Sequence, residues 1–236
     1  MKLSILCPTR KRPQFMLDLW QSVKDTADNL SDIELIFYID KDDQSSIDMF
    51  NSFDTNQVKS VIDERGDGNL SEMWNACYEI SNADIVMHCG DDIRFRTPGW
   101  DAMVINEFDN STDKIILVYG DDGVRKDDLA THGFLHKNWI ETVGYFLPPY
   151  FSSDMNDYWL TTIARNLGRL KKIDIYTEHL HPAVGKHHMD ETHSERVERG
   201  NRDNVRELYK NKQGERDNDT RKLHNFIKTY DEKNIN

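Results

Sequence analysis

Short apolar runs, each closed by a small polar or acidic turn, constrain this chain more than any other feature. Lys2–Cys7 ends at Pro8, and Ile33–Ile39 (IELIFYI) ends in the turn Asp40-Lys41-Asp42-Asp43. Lys59–Asp63 is a weaker run, and Asp84–His88 stops at Gly90-Asp91-Asp92. Ile115–Tyr119 (IILVY) runs into Gly120-Asp121-Asp122-Gly123. Each run has the length and β-branched or aromatic content of a strand. Helical patterns fill the gaps. Pro13 opens one whose Phe15, Met16, Leu19, Trp20 and Val23 share a face. Asn69 followed by Glu72 forms a capping box before Met73, Ala76, Cys77 and Ile80. Strands alternating with helices of roughly 12 residues predict an α/β fold, a mostly parallel sheet with helices on both faces.

In such sheets ligands sit beyond the carboxyl ends of the strands, which is where Pro8-Thr9-Arg10, Asp40 and Gly90-Asp91-Asp92 fall. That placement points to a nucleotide or phosphate ligand. A P-loop is absent, and Gly66-Asp67-Gly68 lacks the third glycine of a dinucleotide loop, so those two ligand modes are disfavoured. Downstream, a helix over Trp139–Val143, a Pro148-Pro149 break and a helix over Asn156–Leu167 precede a strand over Lys171–Glu178. After His181 the chain turns polar, with helical patches at Asp203–Asn211 and Arg221–Tyr230. We read residues 1–190 as one domain and 191–236 as a charged helical C-terminal arm or lid.

The formal charge is −12, yet residues 186–236 carry 12 basic and 11 acidic side chains, so the acidity lies in the body. An acidic body disfavours nonspecific hold on nucleic acid, which rests on phosphate neutralisation, but leaves room for a local basic patch. Arg199, Arg202, Arg206 and Lys210 recur every three or four residues on one such helix face. No apolar run approaches the ~20 residues of a membrane span. Cys7, Cys77 and Cys89 show no paired spacing and read as reduced core thiols, which suits a cytoplasmic setting.

Taken in order, LSILCPTRKRP, FYIDKDD, the Asn69–Asn75 helix, IVMHCGDDIRF and PGWD resemble family 2 glycosyltransferases of the GT-A, Rossmann-like fold. GYFLPPYFSSDMNDYWL and TEHLHPAVGK resemble the acceptor half of the same enzymes, in the compact form bacteriophages often encode. The likeness covers roughly residues 1–190. It implies transfer of a sugar from a nucleotide diphosphate donor, a UDP-sugar, with a divalent cation, Mn²⁺ or Mg²⁺. It places Pro8, Thr9 and Arg10 beside the nucleotide, Asp40 on the base, and Arg65 near the base or ribose. Gly90-Asp91-Asp92 stands where the family has an Asp-x-Asp metal motif, which makes Asp92 the direct ligand and leaves Asp91 to the ribose. Asn156-Asp157 stands where the family has Glu-Asp, making Asp157 the catalytic base, with Asp154 as the alternative. His179 and His181 fall where a further metal contact is often supplied, and Lys186 near a donor phosphate.

The chemistry agrees with those residue types. Departure of a nucleoside diphosphate builds negative charge that a carboxylate-held cation neutralises, and a positioned carboxylate removes the acceptor's proton. His179 and His181, two apart after a strand, would share one face. The stretch from His179 to His193 lacks cysteine and the spacing of a structural zinc site. Asp121-Asp122 we read as a turn. For the acceptor, a hydroxymethylated base in phage DNA and a glycan both remain open. A sugar nucleotidyltransferase is the rival enzyme, although the loop Pro8–Arg12 holds no glycine, and a non-catalytic nucleotide- or glycan-binding module is the third reading.

Overall fold

Strand β1 (Leu3–Thr9) lies inside a sheet of eight strands among the described residues, and its alternate residues divide the core in two. Leu3, Ile5 and Cys7 enter one apolar layer, while Leu6 enters the other. The chain is seen here as a computed structural model that describes residues 1–64, 66–125 and 129–234. The remaining strands are β2 (Ile33–Asp40), β3 (Val58–Asp63), β4 (Ile85–His88), β5 (Ile93–Phe95), β6 (Leu117–Asp121), β7 (Phe134–His136) and β8 (Leu170–His179). Their order across the sheet is β3-β2-β1-β4-β7-β6-β8-β5. Four of the seven pairings among the described residues are parallel, namely β1 with β2, β1 with β4, β2 with β3 and β6 with β8. Strand β7 runs antiparallel to β4 and β6, and β5 antiparallel to β8.

The α/β architecture and the layering match the expectation from the alternating pattern. Helices α1 (Pro13–Thr26), α2 (Gln44–Asn51) and α4 (Trp100–Asn110) cover the Leu3 face. Helices α3 (Leu70–Glu79), α5 (Lys137–Val143) and α6 (Asn156–Asn166) cover the Leu6 face. Strands β5 and β7 and helices α2 and α4 were not legible. The two strands have three residues each, too short to display a period, and α4 buries only Trp100, Val104 and Phe108 from its apolar set. Asn69 caps α3 by accepting from the Glu72 amide at 3.4 Å. All three cysteines are buried and unbridged.

Residues 191–234 form α7 (Glu191–Arg202), α8 (Val205–Asn211) and α9 (Gln213–Asn234). Val205 and Leu223 are buried in the same layer as α3 and α6. Lys222 donates to the Val143 carbonyl at 2.8 Å, fastening α9 to α5. No helix among the described residues is long and apolar enough to cross a membrane.

Candidate functional site

The carboxyl ends of β1, β2 and β4 open into one cavity of about 960 Å³. Its walls hold Pro8, Thr9, Arg10 and Asp40, and Asp91 and Asp92 from the turn after β4. Asp154 and Asp157 enter from α6 and the residues before it, and His179 and His181 from the end of β8. Ten of the residues selected from sequence therefore meet in one place, although they are spread over more than 170 positions of chain. Lys186 is not in the wall: its ammonium pairs with Glu178 at 2.8 Å and donates to the Tyr176 hydroxyl at 3.0 Å. Arg65 lies outside the described residues.

The turn carrying Asp91 and Asp92 is held from three sides. The Trp74 indole donates to the carbonyls of Leu6 and Cys89, both at 3.1 Å, tying α3 to the ends of β1 and β4. Buried Arg94 donates to the Asp91 carbonyl at 2.9 Å and pairs with Asp18 of α1 at 3.1 Å. The Leu180 amide donates to the Asp92 carbonyl at 2.9 Å, which aligns β8 with the turn. Glycine at position 90 follows from this crowding, since a Cβ there would lie 2.7 Å from Asp92 Oδ1. An acidic residue in the first place of the motif would displace the carboxylate it is meant to assist.

The two neighbouring carboxylates live in different environments. Asp91 accepts from Thr9 Oγ1 at 2.8 Å and from Arg12 at 2.9 Å. Burial pushes its pKa up, against the pull of Arg12. Asp92 Oδ2 instead lies 3.3 Å from His179 Nε2 and 3.7 Å from His193 Nε2. Burial opposes its ionisation, but His179 and His193 hold it well below the usual carboxylate range. His179 is pulled the other way. Although burial works against its charge, Asp122 and Asp92 raise its pKa to about 9. Its second ring nitrogen, Nδ1, stands 3.6 Å from Asp122 Oδ2, and neither atom has another hydrogen-bond partner among the described residues.

Asp122 is thus more than a turn residue. It is buried, lines the cavity, and binds the Val124 and Arg125 amides through Oδ1 while Oδ2 faces His179. A histidine flanked by a carboxylate on each ring nitrogen is fixed in orientation. His132 adds a further imidazole beside it, with ring centroids 4.9 Å apart and both nitrogens buried without partners among the described residues. His181 sits 4.9 Å from His179 by ring centroid, as the shared face requires, but its Nδ1 caps the following turn by accepting from Ala183. Only its Nε2 is left for a ligand.

A divalent cation fits this end of the cavity. Asp92 Oδ2 faces one imidazole nitrogen each of His179 and His193, and partnerless buried polar atoms lie beside them. Mixed oxygen and nitrogen donors suit Mn²⁺ better than Mg²⁺. His187, Asp190 and His193 form a second close group, within 4.8 Å of one another. Both Asp190 oxygens already receive Arg12, at 2.6 and 2.7 Å, so that group is occupied by a guanidinium.

Arg10 joins β1 to β2, donating to Asp40 at 2.8 Å and to Asp42 at 2.6 Å. Asp40 is 2% exposed at the end of β2 and lines the cavity. Asp157, half-buried in the first turn of α6, has its pKa pushed up to about 7 by burial. Asp154, by contrast, is exposed and ion-paired with Arg196. It does not cap α6, whose N-cap position is Met155 in the left-handed region at φ 90°. Three contributors are not among the site residues selected from sequence: Arg12, Asp122, which was read as a turn, and His193. Asp122 carried a signal, because Gly120-Asp121-Asp122 repeats the Gly-Asp-Asp that follows β4, and His193 belonged to the histidine-rich stretch after β8.

The fold has solved counterparts. S. aureus TarS 1-349 in complex with UDP-GlcNAc superposes with a TM-score of 0.60 at 14% identity, over 82% of this chain and 61% of that one. The same protein in complex with UDP gives 0.56 at 14% identity, over 75% and 60%. Mannosyltransferase PcManGT from Pyrobaculum calidifontis, in complex with GDP-Man and Mn²⁺, gives 0.61 at 10% identity, over 78% and 58%. This chain spans about three fifths of the length of those structures. No protein-family model and no curated protein matches it. The topology, the position of the cavity and these superpositions together give the chain the GT-A, Rossmann-like fold seen in glycosyltransferase structures.

Proposed function

We propose that this chain is a metal-dependent glycosyltransferase of the family 2 type that moves a sugar from a UDP-sugar to an acceptor hydroxyl. One observation carries the reading. Asp92, with His179 and His193 around it, stands in the same cavity as Asp157, a carboxyl with a pKa raised to about 7. An anion-stabilising end and a proton-accepting end in one cavity are what glycosyl transfer needs. The fold likeness to proteins solved with UDP, UDP-GlcNAc and GDP-Man supports a nucleotide-sugar donor.

Asp92, His179 and His193 would hold a divalent cation, Mn²⁺ before Mg²⁺, and it would neutralise the charge left on the departing diphosphate. Asp122 keeps His179 turned toward that end. Asp91, held by Thr9 and Arg12, would meet the ribose, and Asp40 the uracil. Asp157 accepts the proton of the acceptor hydroxyl as its oxygen bonds to the anomeric carbon and the bond to diphosphate breaks. Helix α7 roofs the cavity with Thr192, His193 and Arg196, in keeping with a lid role for residues 191–236. The acceptor is a hydroxymethylated base of phage DNA or a glycan.

The direct test is a screen of UDP-sugars with Mn²⁺ against hydroxymethylated DNA and against glycans, following released UDP. Release is expected to need donor, acceptor and metal together and to stop with chelator. Failure of every donor to bind in the presence of Mn²⁺ would remove the reading.

Base selection gives a second test. Asp40→Ala is expected to weaken UDP binding by about ten- to a hundredfold, since a hydrogen bond to a buried carboxylate contributes roughly 1.5–3 kcal/mol. Arg10 retains Asp42 and Glu195, so the fold should persist. Equal affinity of the parent protein for UDP, GDP and ADP would count against a base-reading role.

A further inference from the structure

The wall of the cavity beside Asp157 is basic, although the chain as a whole carries −12. Arg125, Arg196, Arg199, Arg206 and Lys210 line it together with Tyr158. Some of these cations are already committed. Arg196 pairs with Asp154, Lys210 with Glu207 at 3.2 Å, and Arg199 donates to the Ser152 carbonyl at 3.3 Å. Arg125 and Arg206 are different: both are exposed, both line the cavity, and neither guanidinium makes an ion pair among the described residues. Two uncommitted guanidinium groups in one cavity wall are a site for anionic oxygens.

Their position separates them from the donor's end. Tyr209, one turn beyond Arg206 on α8, bonds Thr162 of α6 through its hydroxyl at 2.8 Å, and its ring meets that of Tyr158 at 6.4 Å. Helix α8 is thereby docked against α6, whose first turn carries Asp157. Arg125 lines the same cavity, close enough for its charge to favour the ionised form of the Asp157 carboxyl. The donor end, at Asp91 and Asp92, has its own guanidinium in Arg12. Tyr158, 38% exposed and next in sequence to Asp157, offers a ring in the same cavity wall as the two cations.

We propose that the acceptor presents its hydroxyl beside a phosphodiester, which Arg125 and Arg206 receive while Tyr158 packs on the ring that bears or adjoins the hydroxyl. The inference deepens the proposed transfer reaction and rests on it for the position of the acceptor. The acidic body limits the contact to a short stretch. About two phosphates are neutralised, so log affinity should fall against log salt with a slope near −1.4, or about sevenfold between 50 and 200 mM.

The test uses the full chain with UDP and Mn²⁺ present and measures binding of three probes by calorimetry: a short single-stranded oligothymidylate, an abasic phosphodiester chain of equal length, and a neutral oligosaccharide. The oligothymidylate is expected to bind with the stated salt slope and the neutral sugar more weakly. The double variant Arg125→Gln, Arg206→Gln should lose at least about tenfold for the phosphodiester while its thermal midpoint and UDP affinity stay unchanged. Equal binding of the abasic chain identifies the backbone as what is read, and weaker binding adds a stacked base at Tyr158; both support the proposal. Tighter binding of the neutral sugar overturns it, as does a phosphodiester affinity that the double variant leaves intact. A double variant that loses UDP affinity as well assigns the two arginines to the donor and also overturns it. Because UDP and Mn²⁺ binding is measured in the same samples, loss of the acceptor inference is distinguishable from loss of the glycosyltransferase reading.

Discussion

Asp157→Asn is expected to lower turnover by about 10²–10⁴-fold while UDP affinity in the presence of Mn²⁺ stays within a factor of about two, the pattern left by removing a general base. The side chain is isosteric and Asp157 makes one local bond, accepting from the Tyr158 amide at 2.8 Å, which an Asn oxygen can replace. Stability has a sign of its own. The folded carboxyl is held at about 7 by burial, above the ~3.9 of an unfolded aspartate. The folded state therefore binds the proton more tightly, and ionising Asp157 costs stability that grows as pH rises from about 4 to about 7. Asparagine never ionises, so at pH 8 the variant should be at least as stable as the parent.

The same shift shapes the pH profile. A base must be unprotonated to act, so kcat/KM should fall below about pH 7, and that acid limb should vanish in the residual activity of Asp157→Asn. Asp154→Asn should retain most of its turnover, since Asp154 is exposed and tied to Arg196. An inactive Asp154→Asn beside an active Asp157→Asn would move the base three residues upstream. Two active variants would leave the cavity without a base and favour a binding module.

What sequence revealed and what it hid have physical causes. Strands β1, β2 and β4 are buried on both faces, so they appear as unbroken apolar runs, and the turns that end them must hold the polar residues of the cavity. Pro8, Asp40 and Asp92 were legible for that reason. The period of two after β8 brought His179 and His181 to one face, but could not tell that His181 would spend a nitrogen on the turn at Ala183. His193 reaches Asp92 only because α7 folds back across the strand ends, a tertiary event with no local signature. Arg12 looked like one charge in a basic loop, yet it bridges Asp91 and Asp190, 99 residues apart in the chain. Asp122 had a readable signal in its Gly-Asp-Asp, and only the packing of β6 against β8 distinguishes it from an ordinary acidic turn.

Asp92→Asn is expected to remove the metal-dependent part of UDP binding. In calorimetry, added Mn²⁺ should no longer raise the variant's affinity for UDP, and Mn²⁺ affinity itself should drop by more than about 100-fold, because loss of even an outer partner of a metal ligand costs 10–100-fold. Asp92 contributes the only carboxylate oxygen that lies near both His179 and His193 among the described residues. An amide offers a neutral oxygen in its place and a donor NH₂ that opposes a cation. Asp91 cannot take over, since its oxygens are engaged by Thr9 and Arg12 and burial pushes its pKa upward. Asp91→Asn therefore serves as the internal control. It should weaken UDP binding through the ribose and the loop of β1, yet leave the response to Mn²⁺ in place. Should Asp92→Asn respond to Mn²⁺ as the parent does, the cation does not sit between Asp92 and the histidines. Asp122 binds the Val124 and Arg125 amides through Oδ1 and faces His179 Nδ1 through Oδ2, so the single oxygen of Asp122→Asn can serve one side alone, and the variant should weaken Mn²⁺ binding through His179 by less than Asp92→Asn does. A loss as large as that of Asp92→Asn would make Asp122 a ligand rather than the residue that orients His179.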